Sequence, residues 1–233
     1  MNLIQIIESL NFLADPEVIT KKQKRFGVIT SNSLGIHHSD LKIIAKQIGK
    51  NQDALALELF ETGIYEAKLL CSKIYNPKNI TKSQMEKWIK HFDNWEICDS
   101  VCMGFFAKSE FALEKIKEWT LRTPEFEKRA GFTTMAAYGF ANKKEDNKVF
   151  ESFLPIIIRE ANDERLYVKK AVNWALRSIG KRNQDLRELA IQTAEEILKL
   201  DTKSAKWIAK DAIRELNLEK LNVLDYPRSI YRK

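Results

Sequence analysis

Apolar positions in this chain recur at intervals of three and four residues rather than two, the period of helices that bury one stripe. The clearest case is FLPIIIREANDERLYVKKAVNWALRSIGK, residues 153 to 181. An apolar helix, an Asn-Asp break and a second helix follow one another there, which predicts a helical hairpin. On the second helix Val168, Ala171, Val172, Ala175, Leu176 and Ile179 fall at i, i+3, i+4, i+7, i+8 and i+11, a seam that faces a core. No stretch reads as a strand.

Helix punctuation runs from end to end. Ser39 predicts the cap of a helix closed by Gly49, and Asn51 the start of one ended by Gly63. Ser83 with Glu86 predicts a capping box, and Thr123 before Pro124 a cap with proline at the first helical position. Gly180 and Asp201 mark later ends. The count comes to roughly a dozen helices, most of them short.

A basic residue followed by small ones recurs at KRAGFTTMA (128 to 136), KKAVNWALR (169 to 177) and AKWIAKDAIR (205 to 214), about 40 and then about 37 residues apart. That is the period of helical pairs that bury their seams only by stacking on their neighbours. The expected fold is all-α, a curved α-solenoid of HEAT-like repeats, in one domain over 1–233 with a basic concave face.

Composition agrees. The 233 residues are 44% hydrophobic and 30% charged, with only 8 glycines and 5 prolines. A net charge of +7 and a pI near 9.2 favour anionic partners, nucleic acid first, although a basic total also simply keeps a protein soluble. Cys71, Cys98 and Cys102 cannot all pair and form no CxxC, so a reducing, cytoplasmic setting is expected. No apolar run is long enough to predict a membrane span. Cys98 and Cys102 have only His91 for company, so no metal site is expected. Motifs for phosphate loops, dinucleotides, zinc hydrolases or nucleophilic serines do not occur, and no cofactor is expected.

Three places resist a pure core reading. In DNWEICDS, residues 93 to 100, the seam of the predicted helix is Ile97, Cys98, Val101 and Phe105, with Trp95, Asp99 and Phe106 in a second row beside it. Such an aspartate either caps or pairs locally, or is held ionised for a cation or a cationic transition state. Trp174 falls off its helix's seam, on the side of Lys170 and Arg177, where it packs on an adjacent helix or meets a ligand. Arg129, three residues after Phe126 and beside Ala130 and Thr133, sits at the edge of an inner face and needs an anion: a structural carboxylate, Asp99, or a ligand phosphate. The runs KKQKR (21 to 25), Lys143-Lys144 and Lys181-Arg182 suit phosphate contacts or a solvated face. His37 and His38 are adjacent and cannot face one site from a regular element.

Taken together, RFG, LGIHHSDL, LFETGIYEAKLL, DNWEICDSVC, EFEKRAGF and VKKAVNWALR resemble the bacterial DNA alkylation repair family of HEAT-like repeat proteins, from about residue 25 to residue 215. The resemblance implies a protein whose concave channel grips duplex DNA, the expected partner being alkylated, and excises cationic alkylpurines such as 3-methyladenine and 7-methylguanine; nothing in the sequence demands more than a monomer. Trp95 and Asp99 match the family's WxxxD motif, Arg129 its channel arginine, and Trp174 its second tryptophan. The implied roles are charge stabilisation and water orientation for Asp99, packing on the cationic sugar for both tryptophans, and a phosphate contact for Arg129. Lys170, Arg177, Lys181 and Arg182 are the expected backbone contacts, with Phe26 and His37 matched in the N-terminal stretch. That stretch, KKQKRFGVITSNSLGI, reads partly as loop, with Gly27 and Ser31-Asn32-Ser33, where the family has a lesion-contacting helix; one branch of the family keeps the cluster and lacks that helix. The alternatives are a non-catalytic binder of damaged or unusual DNA backbone and a protein-binding helical scaffold.

Overall fold

The computed structural model describes residues 1–28 and 32–227, and every regular element among them is helical. The chain forms two compact units, Met1–Ser109 and Glu110–Lys233. Ser31 of the expected loop and residues 228–233 of the expected domain lie outside the described residues.

The first unit holds α1 (Leu3–Phe12), α2 (Pro16–Phe26), α3 (His38–Ile48), α4 (Asp53–Glu61), α5 (Tyr65–Ile74), α6 (Lys82–Ile89) and α7 (Trp95–Gly104). KKQKRF is helical up to Gly27, whose φ of 64° ends α2 in the left-handed region that glycine enters without a Cβ clash, and residues 32–37 are not helical, so the described part of the stretch is partly loop. Helix α5 packs on α3, α4 and α7. A Cβ on Gly104 would lie 2.6 Å from the Ser72 carbonyl oxygen, so the end of α7 runs almost backbone to backbone against α5. Phe60 stacks on Trp88 at 4.5 Å between ring centres. Cys71, Cys98 and Cys102 are all fully buried in this unit and join no disulfide.

The second unit holds α8 (Ala112–Trp119), α9 (Glu125–Ala141), α10 (Asn147–Glu151), α11 (Leu154–Glu160), α12 (Leu166–Gly180), α13 (Gln184–Leu198) and α14 (Lys203–Leu216). The expected hairpin is α11 and α12, and all six seam residues of α12 are at most 2% exposed. The three recurring basic segments lie on α9, α12 and α14, and α12 packs against both of the others, as stacked repeats require.

Cap positions shift by a residue or two. The capping box uses Thr81 and Gln84 rather than Ser83 and Glu86. His37, not Ser39, precedes α3 and makes no side-chain cap. Pro124 takes the N-cap position of α9, and Thr202 caps α14 after Asp201 turns the chain with a φ of 61°. No helix among the described residues is long and apolar enough to cross a membrane.

Candidate functional site

Helix α7 begins where the Asn94 side chain accepts the N–H groups of Glu96 and Ile97, both at 3.0 Å. That cap fixes Trp95 in the first turn and sets Asp99 one turn on, on the same side. Ile97, Cys98 and Val101 turn fully into the core, whereas Trp95 and Asp99 stay half-buried. The Trp95 indole Nε1 donates to the Phe26 carbonyl oxygen at 3.0 Å, satisfying one of the last carbonyls of α2. Phe26 itself is 52% exposed, with the Arg25 guanidinium 5.2 Å from its ring centre. Trp95 and Phe26, predicted separately, are thus brought together. Phe106 is not in the expected second row: α7 ends at Gly104, and Phe106 turns inward against Phe105 and Phe92.

His37 is exposed, and its neighbour makes the contact. His38 Nε2 bonds to Glu96 Oε1, and the Tyr65 hydroxyl donates to Glu96 Oε2. Lys22 Nζ lies 3.8 Å from the same carboxylate and 5.0 Å above the Tyr65 ring, and it makes no hydrogen bond. Burial pushes the Glu96 carboxyl up, but the bonds from His38 and Tyr65 and the Lys22 charge outweigh it and hold the group below its ordinary value. Burial and the Glu96 carboxylate push the Tyr65 hydroxyl far up. Sequence reasoning missed this cluster because His38, Tyr65 and Glu96 come from three helices and no spacing joins them.

A second buried acid shapes the loop before α3. Glu66, fully buried, accepts the Ser33 hydroxyl at 2.8 Å and the N–H groups of Leu34, Gly35 and Ile36 at 2.9, 2.9 and 3.3 Å. The backbone of this non-helical stretch is held by one carboxylate, an arrangement that leaves few buried donors orphaned.

In the second unit Arg129 is 6% exposed. Its Nη1 donates to the Tyr167 carbonyl oxygen at 2.6 Å, and its guanidinium lies 6.0 Å from the Tyr167 ring, itself packed on Phe126 at 5.4 Å. Trp174 is half-buried against the hydrophobic core of the unit, and Lys170 is exposed. Arg177 and Lys181 both bond to Glu215, and Arg177 Nε donates to Asn173 Oδ1 at 2.8 Å. Burial pushes the Glu215 carboxyl up, and these two cations bring it below its usual range.

Arg182 departs from the expectation of a phosphate contact. It is 1% exposed, donating through Nη1 to the Gly139 carbonyl at 2.7 Å and through Nη2 to those of Asn142, Lys143 and Glu145 at 3.0, 3.2 and 2.9 Å. Its guanidinium stacks 4.1 Å from the Phe150 ring centre. The carbonyls left open where α9 ends take the cation inward.

A chain whose described regular elements are all helices, with the recurring segments on α9, α12 and α14 packed one on the next, is a helical-repeat protein. The chain belongs to the family described as DNA alkylation repair enzyme, which matches it over residues 6–216. Its fold is that of HEAT-like repeats: it is similar, at a TM-score of 0.74 and 21% identity over 95% of this chain and 97% of the other, to a solved structure described as "a new family of proteins related to the HEAT-like repeat DNA glycosylases with affinity for branched DNA structures". None of the curated proteins matches it.

Proposed function

We propose that this protein binds duplex DNA and hydrolyses the N-glycosidic bond of cationic alkylpurines such as 3-methyladenine and 7-methylguanine. The observation that carries the reading is the pairing on α7: Asp99 one turn after an indole that is anchored through Phe26, in a chain of the DNA alkylation repair family. An alkylated purine is already positively charged. When its bond to C1′ breaks, the electron pair leaves with the base, which departs neutral, and the positive charge passes to the sugar. Asp99 opposes that charge and orients a water, which adds at C1′ and gives up a proton. Trp95 packs on the cationic sugar beside Asp99, and in the other unit Trp174 and Arg129 are the residues assigned to the DNA backbone. Lys170 adds an exposed phosphate contact. Arg177 and Lys181 reach a phosphate only by sharing their charge with Glu215.

A carboxylate about 4 Å from a unit cation is worth ~4 kcal/mol at an intermediate dielectric, or roughly a thousandfold in rate. Release of 3-methyladenine from methylated duplex DNA is the test. Asp99→Asn is expected to cut release by about two to three orders of magnitude while leaving affinity nearly unchanged. Folded wild-type protein that binds the DNA and releases no base above background refutes the catalytic reading.

A second reading is binding of branched DNA without turnover. It is favoured by the neighbour described as having such affinity and by the non-helical stretch 32–37 that Glu66 holds where the family has a lesion-contacting helix. Tighter binding to a three-way junction than to a duplex, with no base release, distinguishes it.

A further inference from the structure

Helix α14 buries Ala205, Ile208, Ala209, Ala212 and Leu216 and turns Lys203, Lys206, Trp207, Lys210 and Arg214 outward. Trp207 is 39% exposed, an unusual place for an indole. A shallow groove runs beside it, lined by those cations and Asp211. From α12, Lys169 places its amine 5.9 Å from the Trp207 ring centre.

The charges here are only partly balanced. Lys206 pairs with Asp201 at 2.6 Å, and Arg214 with Asp211. Among the described residues Lys169, Lys203 and Lys210 make no ion pair, whereas Arg177 and Lys181 close by in the same unit are tied to Glu215. Lys203 and Lys210 stand two turns apart, ~10 Å along the helix, the length of about three stacked nucleotides of one strand.

We infer that the α14 face is a binding site for unpaired nucleotides of a DNA strand, with Trp207 as the stacking platform and Lys169, Lys203 and Lys210 as phosphate contacts. An acidic protein surface would satisfy the lysines but leave the indole unused. A duplex offers phosphates but no free base face. A single strand supplies both, which is how strands are held without sequence preference. The inference rests on the reading of the protein as a DNA binder and adds to it a place for a strand that has left the duplex.

The experiment compares two DNAs by fluorescence anisotropy: a blunt duplex, and the same duplex with a single-stranded oligothymidine extension. Wild type is expected to bind the extended DNA more tightly. Trp207→Ala is expected to lose about fivefold or more of its affinity for the extended DNA and to keep its affinity for the blunt one. Trp207→Phe, which keeps an aromatic face and guards against a folding defect, retains most of the preference. The Lys203→Ala, Lys210→Ala double variant lowers the slope of log K against log salt on the extended DNA by about 1.4. If the extension adds nothing for wild type, or if Trp207→Ala weakens both DNAs alike, the inference is overturned and duplex binding stands. If wild type binds neither DNA, both fail together.

Discussion

Arg182 is the residue at which the sequence expectation and the structure differ most, and truncating it measures the difference. Arg182→Ala removes four charged hydrogen bonds to the carbonyls of Gly139, Asn142, Lys143 and Glu145. At ~1.5 kcal/mol each these amount to ~6 kcal/mol. Against them stands the cost of the buried cation: burial pushes the guanidinium down to about 10 from 12.5, with Glu145, Tyr138 and Tyr226 pulling the other way, a penalty of ~3 kcal/mol. The Nε–H also makes no hydrogen bond. The net loss is ~3 kcal/mol, or about 6 to 12 °C in melting temperature for a chain of this size. Calorimetry reads that shift, with Arg182→Met as a control that fills the volume over Phe150 without the charge. DNA affinity measured below the transition should keep its salt dependence. A melting temperature within about 2 °C of wild type, together with a salt slope reduced by about one, would show that Arg182 serves a phosphate and that the reasoning is wrong.

Two further predictions concern the first unit's acid cluster and the second unit's helix packing. Because Glu96 is held below its ordinary carboxylate value in the fold, its contribution to stability is complete above about pH 4.3 and is lost as pH falls through the depressed value. Glu96→Gln should therefore be destabilised by ~1 to 3 kcal/mol at pH 7, with the gap to wild type closing below about pH 4 in urea titrations; a gap constant from pH 7 to pH 3 would refute the network. Gly131→Ala should destabilise by ~1 to 3 kcal/mol, since the added Cβ would lie 2.7 Å from the Thr120 backbone nitrogen and 3.0 Å from the Trp119 carbonyl carbon. Helix propensity alone predicts the opposite sign, so a raised melting temperature would show that α8 and α9 have room to separate.

What could be read from the sequence follows from what repeats locally. The α12 seam was legible because Val168 through Ile179 obey one period on one helix. Trp95 and Asp99 were legible as a pair for the same reason, lying one turn apart within α7. Arg129 was placed at the edge of an inner face and is buried there. The Glu96 cluster and the Glu66 cradle were not legible, because Lys22, His38, Tyr65 and Glu96 meet only after four helices pack, and Ser33 to Ile36 meet Glu66 across about thirty residues of chain. Arg182 was misread because a basic pair at a helix end looks the same whether its cation turns out to solvent or in toward open carbonyls. Only the position of the α9 end decides between the two.

All three thiols of the chain lie in the Met1–Ser109 unit, fully buried on α5 and α7, and burial pushes the Cys71 thiol well above its ordinary value. A thiol-reactive probe therefore cannot react until that unit opens, and it is blind to any opening of the other. The natural protein thus carries its own reporter of the half that holds Trp95 and Asp99, and a single cysteine introduced at an exposed position can be dye-labelled without removing any native one.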